Sequence, residues 1–253
     1  MIYDHITKKV QMKLSDTKYW NTIGKSYDSA WKHSGRKYVS DQELQFLKNS
    51  VAKYVTKDHF ATVDALDLGF GAGRILSALE SSKKINTLTG LDFSKEMLLF
   101  CKNKFKNSKK IKKLIRFDIS KKLPFENYSF DVVTSIRAIK YNKNWKDIIK
   151  ECYRVLKKNG LFIFDMPNIN SVNRLSEIEV SIYKTTLSEL KRTIEGNGFE
   201  ILEVKGGPIL PGVVYDQIRG ILLSLAIFSE KLFKIIFGKT FLSRFLYIAC
   251  RKI

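Results

Sequence analysis

Cysteine, proline and histidine are all scarce in this chain of 253 residues, and each scarcity excludes something. The three cysteines, Cys101, Cys152 and Cys250, form no C-x-x-C pair. They make neither a disulfide framework nor a zinc site, so no metal is expected and a reducing, cytoplasmic compartment is. With only 4 prolines and 14 glycines, fibrous and low-complexity classes drop out. The opening MIYDHITKKV lacks the apolar stretch of a signal peptide. The most apolar region, 218–237, is broken by Glu230, Lys231 and Lys234. It falls short of the ~20 clean apolar residues that a membrane span needs. No repeat with a period of roughly 20–50 residues is visible, which removes solenoids and propellers.

What is present fits a globular protein. With 44% hydrophobic and 28% charged residues the chain can bury a core, and its length suits one large α/β domain or two small ones. Acids are outnumbered, 25 against 45 basic residues, for a net charge of +20. Only ten of the basic residues are arginine, so the forked contacts typical of nucleic-acid readers are few. The densest run, 102–116, has eight basic residues in fifteen. It reads as the solvated face of a lysine-biased protein, with a phosphate backbone or an anionic lipid as its alternative partner.

A short apolar run followed by a longer amphipathic stretch recurs along the chain. Strands are expected at 61–68, 87–92, 114–117, 130–135, 160–166, 199–204 and 246–250. Helices are expected at 74–81, from the cap Ser94 to about 107, at 145–156, and from the capping box Thr186/Glu189 to 196–198. Ser40 with Glu43 reads as a further capping box opening a helix to about 57. Regular alternation of this kind predicts a doubly wound, mostly parallel sheet with helices on both faces. One domain is expected: an N-terminal helical cap over 1–39, a cofactor-binding core over 40–205, and an apolar, basic insert with the last strand over 206–253.

The most informative segment is VDALDLGFGAGRI, residues 63–75. A strand ends at Asp67, and Gly69, Gly71 and Gly73 alternate before a helix. Glycines here let the backbone approach a ligand closely, and the helix start offers free N–H groups to an anion such as a carboxylate. The spacing is GxGxG, not the GxGxxG dinucleotide fingerprint, and no Walker lysine follows. Asp67 directly before the turn would repel pyrophosphate but attract an ammonium group. The implied ligand is zwitterionic, an amino acid joined to a nucleoside. Asp92, ending the next strand, can take both ribose hydroxyls. Asp118 and Ile119, after the third, offer an acceptor for an exocyclic amine and an apolar neighbour for a purine.

These segments resemble the class I S-adenosylmethionine-dependent methyltransferases, of the small-molecule, ubiquinone/menaquinone-methyltransferase-like type. LDLGFGAG is similar to their first motif, TGLDFSKEML to the second, and RFDISKKLPFENYSFDVVTSI to the adenine-site and fourth-strand motifs. ECYRVLKKNGLFIFD and TTLSELKRTIEGNGFEILEV resemble the segments around the fifth and sixth strands, so the likeness covers about 61–205. The resemblance implies a Rossmann-like seven-stranded sheet with an antiparallel last strand, and S-adenosyl-L-methionine as cofactor with S-adenosyl-L-homocysteine as product. It further implies that Gly69 and Gly71 line the methionine moiety, with Phe70 and Gly73 in the same turn. Asp92 would bind ribose, Phe93 pack on adenine with Met97 nearby, Asp118 and Ile119 meet the adenine, and Ser135 touch the cofactor's amino acid. Tyr19 and Tyr27 lie in the cap that closes over the cofactor in relatives.

The acceptor is less legible. No Pro-Cys nucleophile and no Asn/Asp-Pro-Pro-Tyr/Phe motif is present, which argues against methylation at cytosine C5 and at exocyclic or amide nitrogens. In place of the latter stands SIRAIKYN, where Arg137 or Lys140 is expected to hold an anionic group and Tyr141 to position or deprotonate the acceptor. Among three histidines, His33 is the candidate base, with a plain surface position as its alternative. The insert after the sixth strand runs from GGPILPG into a dense apolar helix with basic flanks. It reads as a lid over an apolar or lipid- or glycan-linked acceptor, as a peripheral membrane contact through 213–240, or as a helix packed on the sheet edge or against a dimer partner. A small-molecule acceptor is the leading expectation, and RNA held by the basic surface is the alternative.

Overall fold

The computed structural model describes residues 34–56, 62–171 and 182–253. Its centre is a seven-stranded sheet of β1 (Asp64–Leu68), β2 (Thr87–Asp92), β3 (Ile111–Arg116), β4 (Phe130–Ser135), β5 (Leu156–Pro167), β6 (Phe199–Gly206) and β7 (Phe245–Lys252). The spatial order is β3-β2-β1-β4-β5-β7-β6. β1 to β5 pair in parallel, and β7 runs antiparallel to both β5 and β6. The expected Rossmann-like sheet with its antiparallel last strand is what the chain forms.

Period-two alternation explains why the sheet is covered on both sides. In β5, Phe162 and Phe164 enter one apolar layer while Leu161 and Ile163 enter the other. β7 divides in the same way, Leu246, Ile248 and Cys250 against Phe245, Tyr247 and Ala249. The first layer is closed by α4 (Trp145–Val155) and α5 (Leu187–Gly196), through Ile148, Ile149, Cys152, Leu190 and Ile194. The second is closed by α1 (Ser34–Tyr54) and α2 (Arg74–Glu80), through Phe46, Leu47, Ile75 and Leu79. A third cluster lies between α2 and α3 (Lys95–Lys104) and holds Phe70, Leu76, Met97, Cys101 and Phe105. Ser94 caps α3 by accepting from Met97 N, and Thr186 caps α5 by accepting from Glu189 N, both as the sequence predicts.

Three expectations need correction. α1 begins at Ser34, so Ser40 and Glu43 are not an N-cap pair but mid-helix residues turned inward to Arg74. β3 begins at Ile111, three residues early, because the lysines of IKKLIR project from an edge strand while the backbone pairs with β2. Edge lysines discourage further strand pairing. Lys110 and Lys104 donate to the carbonyls of Glu80, Ser82 and Ala72, so part of the basic run serves the fold. β5 begins at Leu156, directly after α4, and reaches its apolar stretch through a register shift at Phe130/Val132 with Asn159 at φ 63°.

The insert forms α6 (Gly212–Gln217) and α7 (Gly220–Phe237), and no described helix is long and apolar enough to cross a membrane. All three cysteines are free and buried. Phe162 stacks on Phe164 with centroids 4.4 Å apart at the centre of the first layer. Phe162→Ala should cost about 3–5 kcal/mol in urea unfolding. A loss below about 1 kcal/mol would mean the layer is not packed as described.

Candidate active site

Parallel strands bring their carboxyl ends to one edge of the sheet. There β1 ends past Asp67, β2 at Asp92, β4 at Ser135, and β5 carries Asp165 two residues from its end. Strand order reverses between β1 and β4, and a crevice opens at such switch points. Polar bonds tie the two strands together here. Thr134 Oγ donates to Asp67 Oδ1 at 2.7 Å, and Ser135 Oγ donates to the Leu68 carbonyl at 3.2 Å.

The turn after β1 is held tightly. Gly69 N donates to Leu91 O at 2.7 Å and Gly73 N to Phe70 O at 2.8 Å. Gly69, Gly71 and Gly73 have φ of 74°, 51° and 77°, backbone that side-chain-bearing residues rarely adopt. They differ in their surroundings. A Cβ on Gly69 would strike Ala138 at 2.4 Å, and one on Gly73 would strike the Phe105 ring at 2.6 Å. A Cβ on Gly71 would meet nothing within 4 Å. The turn is packed at both ends and open in the middle.

Two buried carboxylates stand at the ends of β1 and β2, and that of Asp92 touches the opening. Asp92 accepts from Gly71 N at 2.8 Å and from Ser94 N at 2.9 Å. Burial raises its carboxyl above the ordinary range, and these two bonds oppose the rise. Each of its oxygens keeps a second lone pair for a hydroxyl donor. Asp67 is 1% exposed, and its Oδ2 has no hydrogen-bond partner among the described residues. Burial pushes its carboxyl up to about 7, with Asp92 nearby adding to the effect. A half-satisfied acceptor on Asp67, a carboxylate on Asp92 bonded to an open glycine, and backbone N–H groups of the turn are chemistry that suits a zwitterionic nucleoside, with a cationic donor for the first, a diol for the second and a carboxylate for the third.

The other expected contacts are distributed around this pair. Phe93 is half-buried and its carbonyl accepts from Arg116 Nε at 3.0 Å. Asp118 is exposed and accepts from Ser120 N at 2.9 Å, whereas Ile119 is buried in the first apolar layer. The side chains of Phe70 and Met97 sit in the α2–α3 cluster, 3% and 1% exposed. Tyr19, Tyr27 and His33 lie outside the described residues.

The segment after β4 contains the densest electrostatics. Arg137 takes φ 64°, donates its backbone N–H to Asp165 Oδ1, and donates Nε to Glu43 Oε1 at 2.7 Å. Glu43 Oε2 accepts from Arg74 Nη2 at 2.6 Å, so one buried carboxylate joins the residue after the glycine turn to the loop after β4. Burial alone would raise the Glu43 carboxyl, but Arg137 and Arg74 override it and hold it low. Lys140 lies 4.6 Å over the Phe245 ring and 5.2 Å over the half-buried Tyr141 ring, and burial pushes its ammonium down to about 8. Arg137 is thus engaged by Glu43, and Lys140 is the cation beside Tyr141. Sequence reasoning missed Glu43, which it read as part of a cap. It also missed Asp165, although an acid ending the apolar strand GLFIFD is the same signal that marked Asp67 and Asp92.

Residues 66–164 match the family model described as a methyltransferase domain. Over 195 residues the chain is 29% identical to the uncharacterized protein MJ1252 of Methanocaldococcus jannaschii, covering 77% of this chain and 67% of that protein. Over 119 residues it is 32% identical to the demethylmenaquinone methyltransferase of Leptospira interrogans, covering 46% of this chain and 47% of the relative. The chain therefore spans about half the length of that curated relative. A solved S-adenosylmethionine dependent methyltransferase from Mesorhizobium loti shares the fold, with a TM-score of 0.60 at 18% identity over 84% of this chain and 100% of that one.

Glu43 faces two guanidinium groups in a buried setting, so its removal strands positive charge. Glu43→Gln should lower stability by about 3 kcal/mol at neutral pH in denaturant titration. Its folded carboxyl lies below the unfolded value, so this contribution is present above the ordinary glutamate range and lost only as pH falls through the lower folded value. A change below about 0.5 kcal/mol would show that the bridge adds nothing.

Proposed function

Since the chain belongs to the class I S-adenosylmethionine-dependent methyltransferases, we propose that it methylates a small-molecule acceptor of apolar or lipid- or glycan-linked character. The cofactor supplies an electrophilic methyl group on a sulfonium, already activated for transfer. What the protein adds is alignment, exclusion of water and, for a hydroxyl or amine acceptor, removal of a proton.

Each task falls to named residues. Asp67 takes the ammonium of the amino-acid moiety, the Gly69–Gly71–Gly73 turn and Ser135 frame that moiety, and Asp92 holds the ribose. Phe93, Met97, Asp118 and Ile119 border the adenine. At the acceptor side, Lys140 holds an anionic substituent and Tyr141 positions the nucleophile, while Arg137 fixes the loop through Glu43 and Asp165. His33 is the base where the acceptor needs one, and Tyr19 and Tyr27 cover the pocket. The observation that carries this reading is the unpartnered Asp67 Oδ2, near the carboxylate of Asp92 that accepts from the open Gly71.

The exposed apolar insert supports an apolar acceptor, and several curated relatives are named as demethylmenaquinone methyltransferases. RNA is the weaker reading, because lysines of the 102–116 run are spent on backbone carbonyls and on guarding edge strand β3.

Two measurements test the assignment. Asp92→Ala should weaken S-adenosyl-L-homocysteine binding by about tenfold to a hundredfold in calorimetry, the value of hydrogen bonds to a charged group. Unchanged affinity would remove Asp92 from the ribose. The second is a pH profile. The Asp67 carboxyl, raised to about 7, must lose its proton before it can meet an ammonium. Affinity should therefore fall about tenfold from pH 8 to pH 6 in the wild type, and the fall should vanish in Asp67→Asn. A flat wild-type profile would contradict the pairing.

A further inference from the structure

α7 is built inside out. A helix on a protein surface normally buries its apolar stripe and exposes its charges. Here Glu230 is the one residue of α7 that is buried, 4% exposed, and it anchors the helix by polar bonds. Its Oε1 accepts from Ile209 N at 2.8 Å, Leu210 N at 2.7 Å and the Tyr215 hydroxyl. The opposite face carries Ile221, Leu225, Phe228, Leu232 and Ile235, spaced four, three, four and three apart and 48–80% exposed. That spacing places them in a single stripe along the helix. Isolated exposed leucines are ordinary, but a continuous apolar stripe of this length marks an interaction surface.

The charges around the stripe say what covers it. Arg219 before the helix, Lys231 on its exposed side and Lys239 just beyond its end are all exposed. The segment 206–244 contains two carboxylates, and both are turned to the protein: Asp216 is paired with Arg36, and Glu230 forms the anchor. The exposed side of this segment is thus apolar and purely cationic, on a chain of net charge +20. A second copy would set another chain of +20 against the first. An anionic bilayer surface instead offers hydrocarbon for the stripe and headgroup phosphates for the lysines. We propose that α7 lies in the interface of an anionic membrane, apolar stripe inward, and docks the protein there. No described helix can span a bilayer, so the contact is peripheral. The proposal stands independently of the acceptor's identity.

The test is co-sedimentation of the full chain with vesicles of phosphatidylcholine alone and of phosphatidylcholine containing one-third phosphatidylglycerol. Binding to the anionic vesicles should be at least about tenfold stronger and should weaken steeply with salt. Phe228→Glu with Ile235→Glu should abolish it, and Lys231→Glu should reduce it severalfold. S-adenosyl-L-homocysteine affinity and melting temperature should be unchanged in all variants. Protein that stays in the supernatant would overturn the proposal. So would equal binding to both vesicle types, or a lipid-free dimer in analytical ultracentrifugation that Phe228→Glu splits.

Discussion

The carboxylates at the ends of β1 and β2, Asp67 and Asp92, are kept out of water, and the charge of Arg74 eases the burial of Asp67 without offsetting it; the site is organised around that constraint. Burying an ionised carboxylate is costly unless donors or opposite charge surround it. Asp92 meets the requirement with two backbone N–H groups. Asp67 meets it only in part, with one hydroxyl donor on one oxygen. Asp67 Oδ2 is therefore left short of a donor among the described residues, and under the proposed function the ammonium of the cofactor would supply it. Preformed polarity of this kind aligns a bound group without reorganisation when it arrives.

Glu43 stabilises the surroundings of that deficit. Its carboxylate is shared between Arg74, the first residue of α2, and Arg137, which follows β4. One residue of α1 thereby couples the glycine turn to the loop after β4. Arg137 also donates its backbone N–H to Asp165, which extends the coupling to the end of β5. Around Asp165 the polar atoms Asp165 Oδ2, Arg244 Nε and Tyr247 Oη are buried without hydrogen-bond partners among the described residues. Asp165 and Tyr247 stand opposite each other on β5 and β7, so these groups line the continuation of the same edge.

Most of the sheet is legible in the sequence because its central strands are apolar on both faces, and β1, β2 and β5 carry an acid at or near their carboxyl ends. Thr87–Asp92 and Phe130–Ser135 fall where the pattern puts them. β3 starts three residues before its expected start because lysines on an edge strand break the apolar signal without breaking the backbone ladder. The start of α1 was misplaced because a serine followed three residues later by a glutamate is also what an inward-facing polar pair produces in mid-helix. Asp67, Asp92 and the glycines stand out as candidates from local chemistry alone. Glu43 could not, since its partners lie 31 and 94 residues away and only the tertiary fold brings them together. The inversion of α7 was hidden for a similar reason: the sequence shows an apolar helix with charges, but not which face Glu230 anchors.

The most direct test of the account is a crystal structure of the protein with S-adenosyl-L-homocysteine at a resolution that places single atoms. The account predicts the amino nitrogen of the ligand within about 3.2 Å of Asp67 Oδ2, with the ribose hydroxyls on Asp92. A ligand whose amino group points away from Asp67, or a Gly71 cradle closed by protein side chains, would contradict it.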